Sequence, residues 1–124
     1  MRKTQITENF TLEEVKSRDT GALLITDLLY HHMDKLQEMR EEIGRIDINS
    51  GYRTPEHNKL VGGAENSMHL QFATDIRIVS LLELDRAHEV AEDLGFSGIG
   101  RYKTFLHLDC RKFIDRLPAR WDRR

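Results

Sequence analysis

The sequence predicts an α+β fold in which N-terminal helices pack on a mostly antiparallel sheet. Three observations carry that expectation. Helical spacing dominates the early part of the chain, strand-like alternation appears mainly later, and one helical stretch lies between strands. Apolar residues at 39% and charged residues at 32% of 124 describe a globular chain with material for one core. That length suits one domain, so residues 1–124 are read as a single unit ending in a basic tail over 111–124.

The elements follow in order. Thr11 and Glu14 form a capping box for a short helix that ends near Ser17. Asp19 or Thr20 starts the next and longest helix. Leu23, Leu24, Leu28, Leu29, Met33, Leu36 and Met39 give it a mostly helical stripe to about residue 43, and Gly44 stops it. Ile46 and Ile48 alternate with Asp47 and Asn49 as a half-buried strand. Thr54 caps a short helix from Pro55 to about Leu60, with proline at the first helical position. Residues 61–67 form a glycine-bearing loop, and residues 73–78 a strand. Leu81 to Leu94 is a helix with Leu82, Ala87, Val90, Ala91 and Leu94 on one side, closed by Gly95. Ser97 to Arg101 and Thr104 to Arg111 are two further strands, joined tightly around Tyr102 and Lys103.

Composition excludes several classes. A formal net charge of −2 rules out a generally basic nucleic-acid coat. One cysteine rules out a disulfide framework and any multi-cysteine zinc site, so a bound metal would need histidine and carboxylate. No apolar run approaches the ~18 residues of a membrane span. Arg2 and Lys3 have no apolar stretch behind them, so no secretory signal is expected. The last fourteen residues carry a net charge of +4 against −6 for the rest. They read as a solvated end with local ion pairs, the rival being contact with nucleic acid or an anionic membrane surface.

Three segments hold the candidate chemistry: Ser67-Met68-His69, Ala73-Thr74-Asp75 and His107-Leu108-Asp109. A hydrolytic zinc site takes three protein ligands and leaves one position for water, and two imidazoles with one carboxylate suit it. Strand alternation puts His107, Asp109 and Arg111 on one face, with Leu106, Leu108 and Cys110 on the other. Composition alone does not single this trio out. The remaining candidates have plainer readings. His31 and His32, adjacent on a helix, are partly exposed polar residues; His57 is a surface or cleft-lining residue; His88 faces solvent. Cys110 is a buried small hydrophobe, Gly62-Gly63 lacks the lysine of a phosphate loop, and Trp121 covers a core edge, the alternative being contact with a sugar.

Residues 50–58 (SGYRTPEHN), 61–64 (VGGA), 67–69 (SMH) and 73–76 (ATDI) together resemble the zinc D-Ala-D-Ala carboxypeptidases, a group that extends to hedgehog-type domains and phage endolysins. Residues 98–102 (GIGRY) and 105–111 (FLHLDCR) look like that family's closing strands, and residues 9–14 (NFTLEE) are similar to its first helix. The resemblance implies a zinc ion held by His69, Asp75 and His107. It implies that Arg53 meets the substrate's carboxylate or a peptide carbonyl, and that Ser67 contacts substrate. Asp109 and Asn66 are candidate partners for the ligand imidazoles.

Two departures stand out. The gap between His69 and Asp75 is one residue shorter than the family's, with Phe72 near where glycine is usual, and the turn is expected to absorb this. The family's usual base, an acid or histidine two or three residues before the last ligand, is replaced by Phe105 and Thr104. Asp109 is the nearest titratable group on the right side and is taken as the base. Its alternative is an ion pair with Arg111 or a bond to a ligand histidine.

The resulting expectation is a zinc peptidase cutting an amide bond in peptidoglycan stem peptides, made in the cytoplasm and reaching the wall through a holin or virion. The rival is a non-catalytic wall-binding or virion module of the same fold.

Overall fold

The computed structural model describes residues 3–80 and 82–124; the expected helix start at Leu81, the side chain of Leu82 and Arg2 lie outside that description. The architecture is α+β, as expected. Five strands, β1 (Ile46–Ser50), β2 (Thr74–Ile78), β3 (Gly98–Arg101), β4 (Leu106–Asp109) and β5 (Ala119–Asp122), form one sheet in the order β1-β2-β4-β3-β5. All neighbours are antiparallel except β3 and β5, which run parallel. Helices α1 (Asp27–Ile43) and α3 (Leu82–Leu94) cover one face, and α2 (Pro55–Leu60) follows β1.

Alternation along the strands divides the sheet into a core face and a site face. Ile76, Ile99, Leu106 and Leu108 are fully buried against Leu29, Met33 and Leu36 of α1 and Leu84, Ala87 and Ala91 of α3. Cys110 lies in the same cluster, and burial pushes its thiol up to about 12, which keeps it an inert packing residue. The opposite face is polar. Pairing puts Ser50 beside Asp75, Asp75 beside His107, His107 beside Gly100, and Gly100 beside Trp121, one row across all five strands. Ser50 joins this row only because the register of β1 shifts between Ile48 and Ser50, so that Ile46 and Ile48 face the core while Ser50 does not.

Four expectations need correction. The first helix is a three-residue turn, Leu12–Glu14, although its capping box is present: the Glu14 carboxylate accepts from the Thr11 N–H at 2.9 Å. Helix α1 begins at Asp27, not at Asp19 or Thr20, because Thr26 supplies the cap and accepts from the Leu29 N–H at 3.2 Å. Asp19 is used elsewhere: its carboxylate accepts from Ser17 Oγ and Thr54 Oγ1, both at 2.6 Å. The tail is only partly a solvated end. Residues 119–122 extend the sheet beside β3, with the Ala119 N–H bonded to Ser97 O and the Arg123 N–H to Arg101 O. The chain gets there through a turn, Arg111–Ile114, which ends the preceding strand at Asp109.

The fourth correction concerns His32, which is fully buried. It sits three residues after Leu29 and four before Leu36, on the core stripe of α1. Its Nε2 lies 2.9 Å from Thr74 Oγ1, its ring meets Phe72 and Phe96 edge-on, and its Nδ1 has no partner among the described residues. His31 is half-buried and stacks on Phe113 at 4.5 Å. His57 and His88 are also half-buried.

A charge on His32 would be desolvated, so burial pulls its pKa down to about 3. Between about pH 6.5 and that value the unfolded chain takes up a proton that the folded chain refuses. Stability should therefore fall with acidity over this window, by at most about 1.4 kcal/mol per pH unit from this group. The His32→Gln variant removes that titration while keeping a polar atom for Thr74. In denaturant titrations at pH 6.5 and 4.5, its stability relative to the parent should improve by up to about 2 kcal/mol at the lower pH. Parallel pH profiles for the two proteins would show that His32 does not titrate as its burial requires.

Candidate metal centre

Two backbone segments and two strands converge on the site face. After β1 the chain turns at Gly51, where the Tyr52 N–H bonds Val15 O and the Arg53 N–H bonds His69 O at 2.9 Å. Thr54 then caps α2, accepting from the His57 N–H, while its own N–H bonds Ser17 Oγ and its hydroxyl donates to Asp19. This lock on residues 17, 19 and 54 fixes the peptide that carries Arg53. Ser67 caps a turn at Met68–Leu70, its Oγ accepting from the His69 N–H at 3.2 Å. The turn passes through Gln71 to the buried Phe72 and Ala73 before β2 begins.

The side chains of His69, Asp75 and His107 meet there. One ligand atom from each lies within 4.8 Å of the others. Asp75 Oδ1 is 3.2 Å from His69 Nε2 and 3.2 Å from His107 Nδ1, and Asp75 Oδ2 faces the Arg53 guanidinium at 3.4 Å. The outer ring nitrogens are already engaged. His69 Nδ1 is 2.7 Å from Gly51 O, an atom that can only accept, so the proton sits on Nδ1. His107 Nε2 is 2.7 Å from Asp109 Oδ2, and hydrogen bonds from His107 and Arg111 outweigh burial to hold the Asp109 carboxyl well below the usual range. With the outer protons fixed, two nitrogen lone pairs and a carboxylate oxygen face one another. Three acceptors at this spacing need a cation between them, either a proton or a metal ion. The proton alternative has its own signature: although burial opposes a charge on His107, its bonds to Asp109 and Asp75 outweigh that and raise its pKa. Asp75 is shifted the other way, its burial outweighed by hydrogen bonds from His107 and His69. The donor set of two neutral imidazoles and one carboxylate fits zinc, with the second partner of each imidazole already supplied by the fold.

Asp109 stands behind His107. It is 0% exposed. Its Oδ1 accepts from the Arg111 N–H and Nε at 3.0 and 2.9 Å, and its Oδ2 from Arg111 Nη2 at 2.8 Å and from His107. Both alternatives to the base role, the ion pair and the bond to a ligand histidine, are thus present. Asn66 meets neither ligand imidazole; its carbonyl accepts from Arg116 at 3.1 Å.

A cleft of about 730 Å³ opens over His69, Asp75 and His107. Arg53, Ser67, Arg111, Arg116 and Arg123 line it, and so do Tyr102 and Trp121, which sequence reasoning left out of the site. Trp121 Nε1 donates to the Tyr102 hydroxyl at 3.0 Å, and its indole packs 5.0 Å from the His107 ring. The signal for Trp121 was Gly100, one of a pair of glycines on β3. A Cβ on Gly100 would overlap the Trp121 indole, and one on Gly98 would overlap the Asp109 carboxylate. Glycines two apart on one strand mark close approach from the same face.

Two imidazoles and a carboxylate at the floor of an open cleft are a group that could hold a metal ion. The family model for Peptidase M15 matches residues 6–109, so the chain belongs to the peptidase M15 family, whose members are zinc-dependent. No curated protein matches the sequence.

A Cβ on Gly98 would overlap the buried Asp109 carboxylate and force it to shift. The Gly98→Ala variant should therefore unhook His107 Nε2 and weaken zinc binding by about 10- to 100-fold, read by competition with a chromophoric chelator. A variant that stays folded in a thermal melt and binds zinc as tightly as the parent would contradict the positioning assigned to Asp109.

Proposed function

We propose that this protein is a zinc-dependent peptidase that hydrolyses an amide bond in peptidoglycan stem peptides. The observation that carries the reading is the convergence of His69 Nε2, Asp75 Oδ1 and His107 Nδ1, lone pairs inward, at the base of an open cleft. Bound zinc supplies Lewis-acid polarisation of the scissile carbonyl and a lowered pKa for water. His69, Asp75 and His107 hold the ion. The Gly51 carbonyl and Asp109 fix the two imidazole rings in the tautomers that leave the inner nitrogens free.

Arg53 binds the peptide's terminal carboxylate or a peptide carbonyl, its permanent forked charge held by Ser50, Asn58 and Asp75. Ser67 contributes a hydroxyl beside the first ligand. Asp109 is engaged at both oxygens and separated from the inner face of His107 by the ring itself. Its part is to orient and support that imidazole, in place of the proton transfer expected from the sequence. The peptidase occupies the single unit 1–124 and meets the wall after delivery by a holin or virion.

A second reading, a wall-binding or virion module without hydrolysis, is favoured by one feature. Among the described residues lining the cleft, Asp75 is the one carboxylate, so no acid beside the ligands is free to take a proton.

The two readings diverge in one experiment. Zinc-loaded protein should contain one metal per chain and release peptide fragments or amino acids from purified peptidoglycan. Chelation should stop the release and added zinc restore it, and the Asp75→Asn variant should lose at least about 10³-fold in rate. Metal without release would favour the binding module, and release unaffected by chelator would sink the zinc mechanism.

A further inference from the structure

The cleft is far more basic than the chain. Arg53, Arg111, Arg116 and Arg123 line it, in a protein of formal net charge −2. Two of the four are neutralised locally, Arg53 by Asp75 and Arg111 by Asp109. The other two are not. Arg116 donates to Asn66 O at 3.1 Å and Met68 Sδ at 3.3 Å, both neutral acceptors, and both bonds use the same terminal nitrogen. The Arg123 side chain is exposed, and no carboxylate among the described residues pairs with it or with Arg116.

Strand β5 sharpens the contrast. Its alternation sends Ala119 and Trp121, and beyond them Arg123, toward the cleft; Arg120, Asp122 and Arg124 border a separate hollow against α3. There every arginine has an acid: Arg120 pairs with Glu92 at 2.7 Å, Arg124 with Asp122 at 2.6 Å, and Arg101 with Asp85 at 3.2 Å. The same short segment thus satisfies its charges on one side and leaves them open on the side that holds the ligands. Guanidinium groups without a carboxylate partner beside a cation site repel the ion unless an anion joins them. Arg116 is already oriented by two hydrogen bonds and keeps its remaining N–H groups free for a bidentate acceptor.

We infer that Arg116 and Arg123 form a second anion subsite in the cleft, which binds a carboxylate of the peptide other than the group held by Arg53. The substrate is then an acidic peptide. The inference rests on the peptidase reading for the peptide, but the subsite itself can be tested by binding alone. Trp121, the single tryptophan of the chain, lies in the cleft and reports occupancy through its fluorescence.

Two N-acetylated pentapeptides ending in D-Ala-D-Ala, one with an internal glutamate and the other with glutamine in its place, are titrated into zinc-loaded full-length protein. The glutamate peptide should bind about tenfold more tightly. The double variant Arg116→Gln/Arg123→Gln should lose that preference, with KM for the glutamate peptide raised about tenfold and kcat retained. Its binding of the glutamine peptide should stay at the parent's level. Arg123→Gln alone, at an exposed side chain, should lose part of the preference even if the double variant is less stable. Arg45→Gln, which removes the same charge at the far end of β1, should leave the preference intact.

Equal binding of the two peptides by the parent, or equal loss of both by the double variant, would overturn the subsite. A charge preference without cleavage would leave the subsite standing and remove the peptidase reading. Cleavage without a charge preference would do the reverse.

Discussion

The site depends on one cross-strand contact, the approach of Asp75 on β2 to His107 on β4. Register alone makes them neighbours, and everything else serves to hold that register or to aim the two side chains. Leu106 and Leu108 anchor β4 from the core face, so a slip of one residue would turn His107 into the apolar core and the leucines toward the cleft. Behind His107 stands Asp109, clamped by Arg111 and seated over Gly98. Beside it stands Trp121, seated over Gly100. The first ligand, His69, comes from a turn rather than a strand, and it is tied to the sheet through the Gly51 carbonyl and the Arg53 N–H. The centre is therefore held from both sides by backbone that the core has already fixed.

Much of this was legible in the sequence, and the rest was hidden for physical reasons. Alternation in residues 106–110 gave the facing of His107 and Asp109 directly, because leucine and cysteine left only one face for polar groups. The cap at Thr54 and the helix after it followed from the threonine-proline pair. The bonding of Asp109 did not follow, since it needs Arg111 to turn back at the end of β4, and a strand drawn through Arg111 hides that turn. Strand β5 was hard to see because its alternation of Ala119 and Trp121 with Arg120 and Asp122 spans only four residues, and it pairs in parallel with a strand about twenty residues away, so no hairpin turn announces it. His32 lay on the core stripe by spacing. Its residue type argued for exposure, and the buried Thr74 hydroxyl that accommodates it comes from a distant strand.

Charge is distributed with equal economy. The net charge of the chain conceals a basic cleft on one side of β5 and a paired ionic network on its other side. Composition averages these away, and only the strand's period of two separates them. A proton and a divalent ion would compete for the same three acceptors, so the groups that fix the imidazole tautomers would also set how readily a metal enters.

The central claim is that the fold presents His69 through Nε2 and His107 through Nδ1, with Asp75 between them. Anomalous diffraction at the zinc edge from crystals of the zinc-loaded protein tests it most directly. The account predicts one ion bonded to those two nitrogens and an Asp75 oxygen, with His107 Nε2 still on Asp109. An ion bound through His107 Nε2, or one seated away from Asp75, would contradict it.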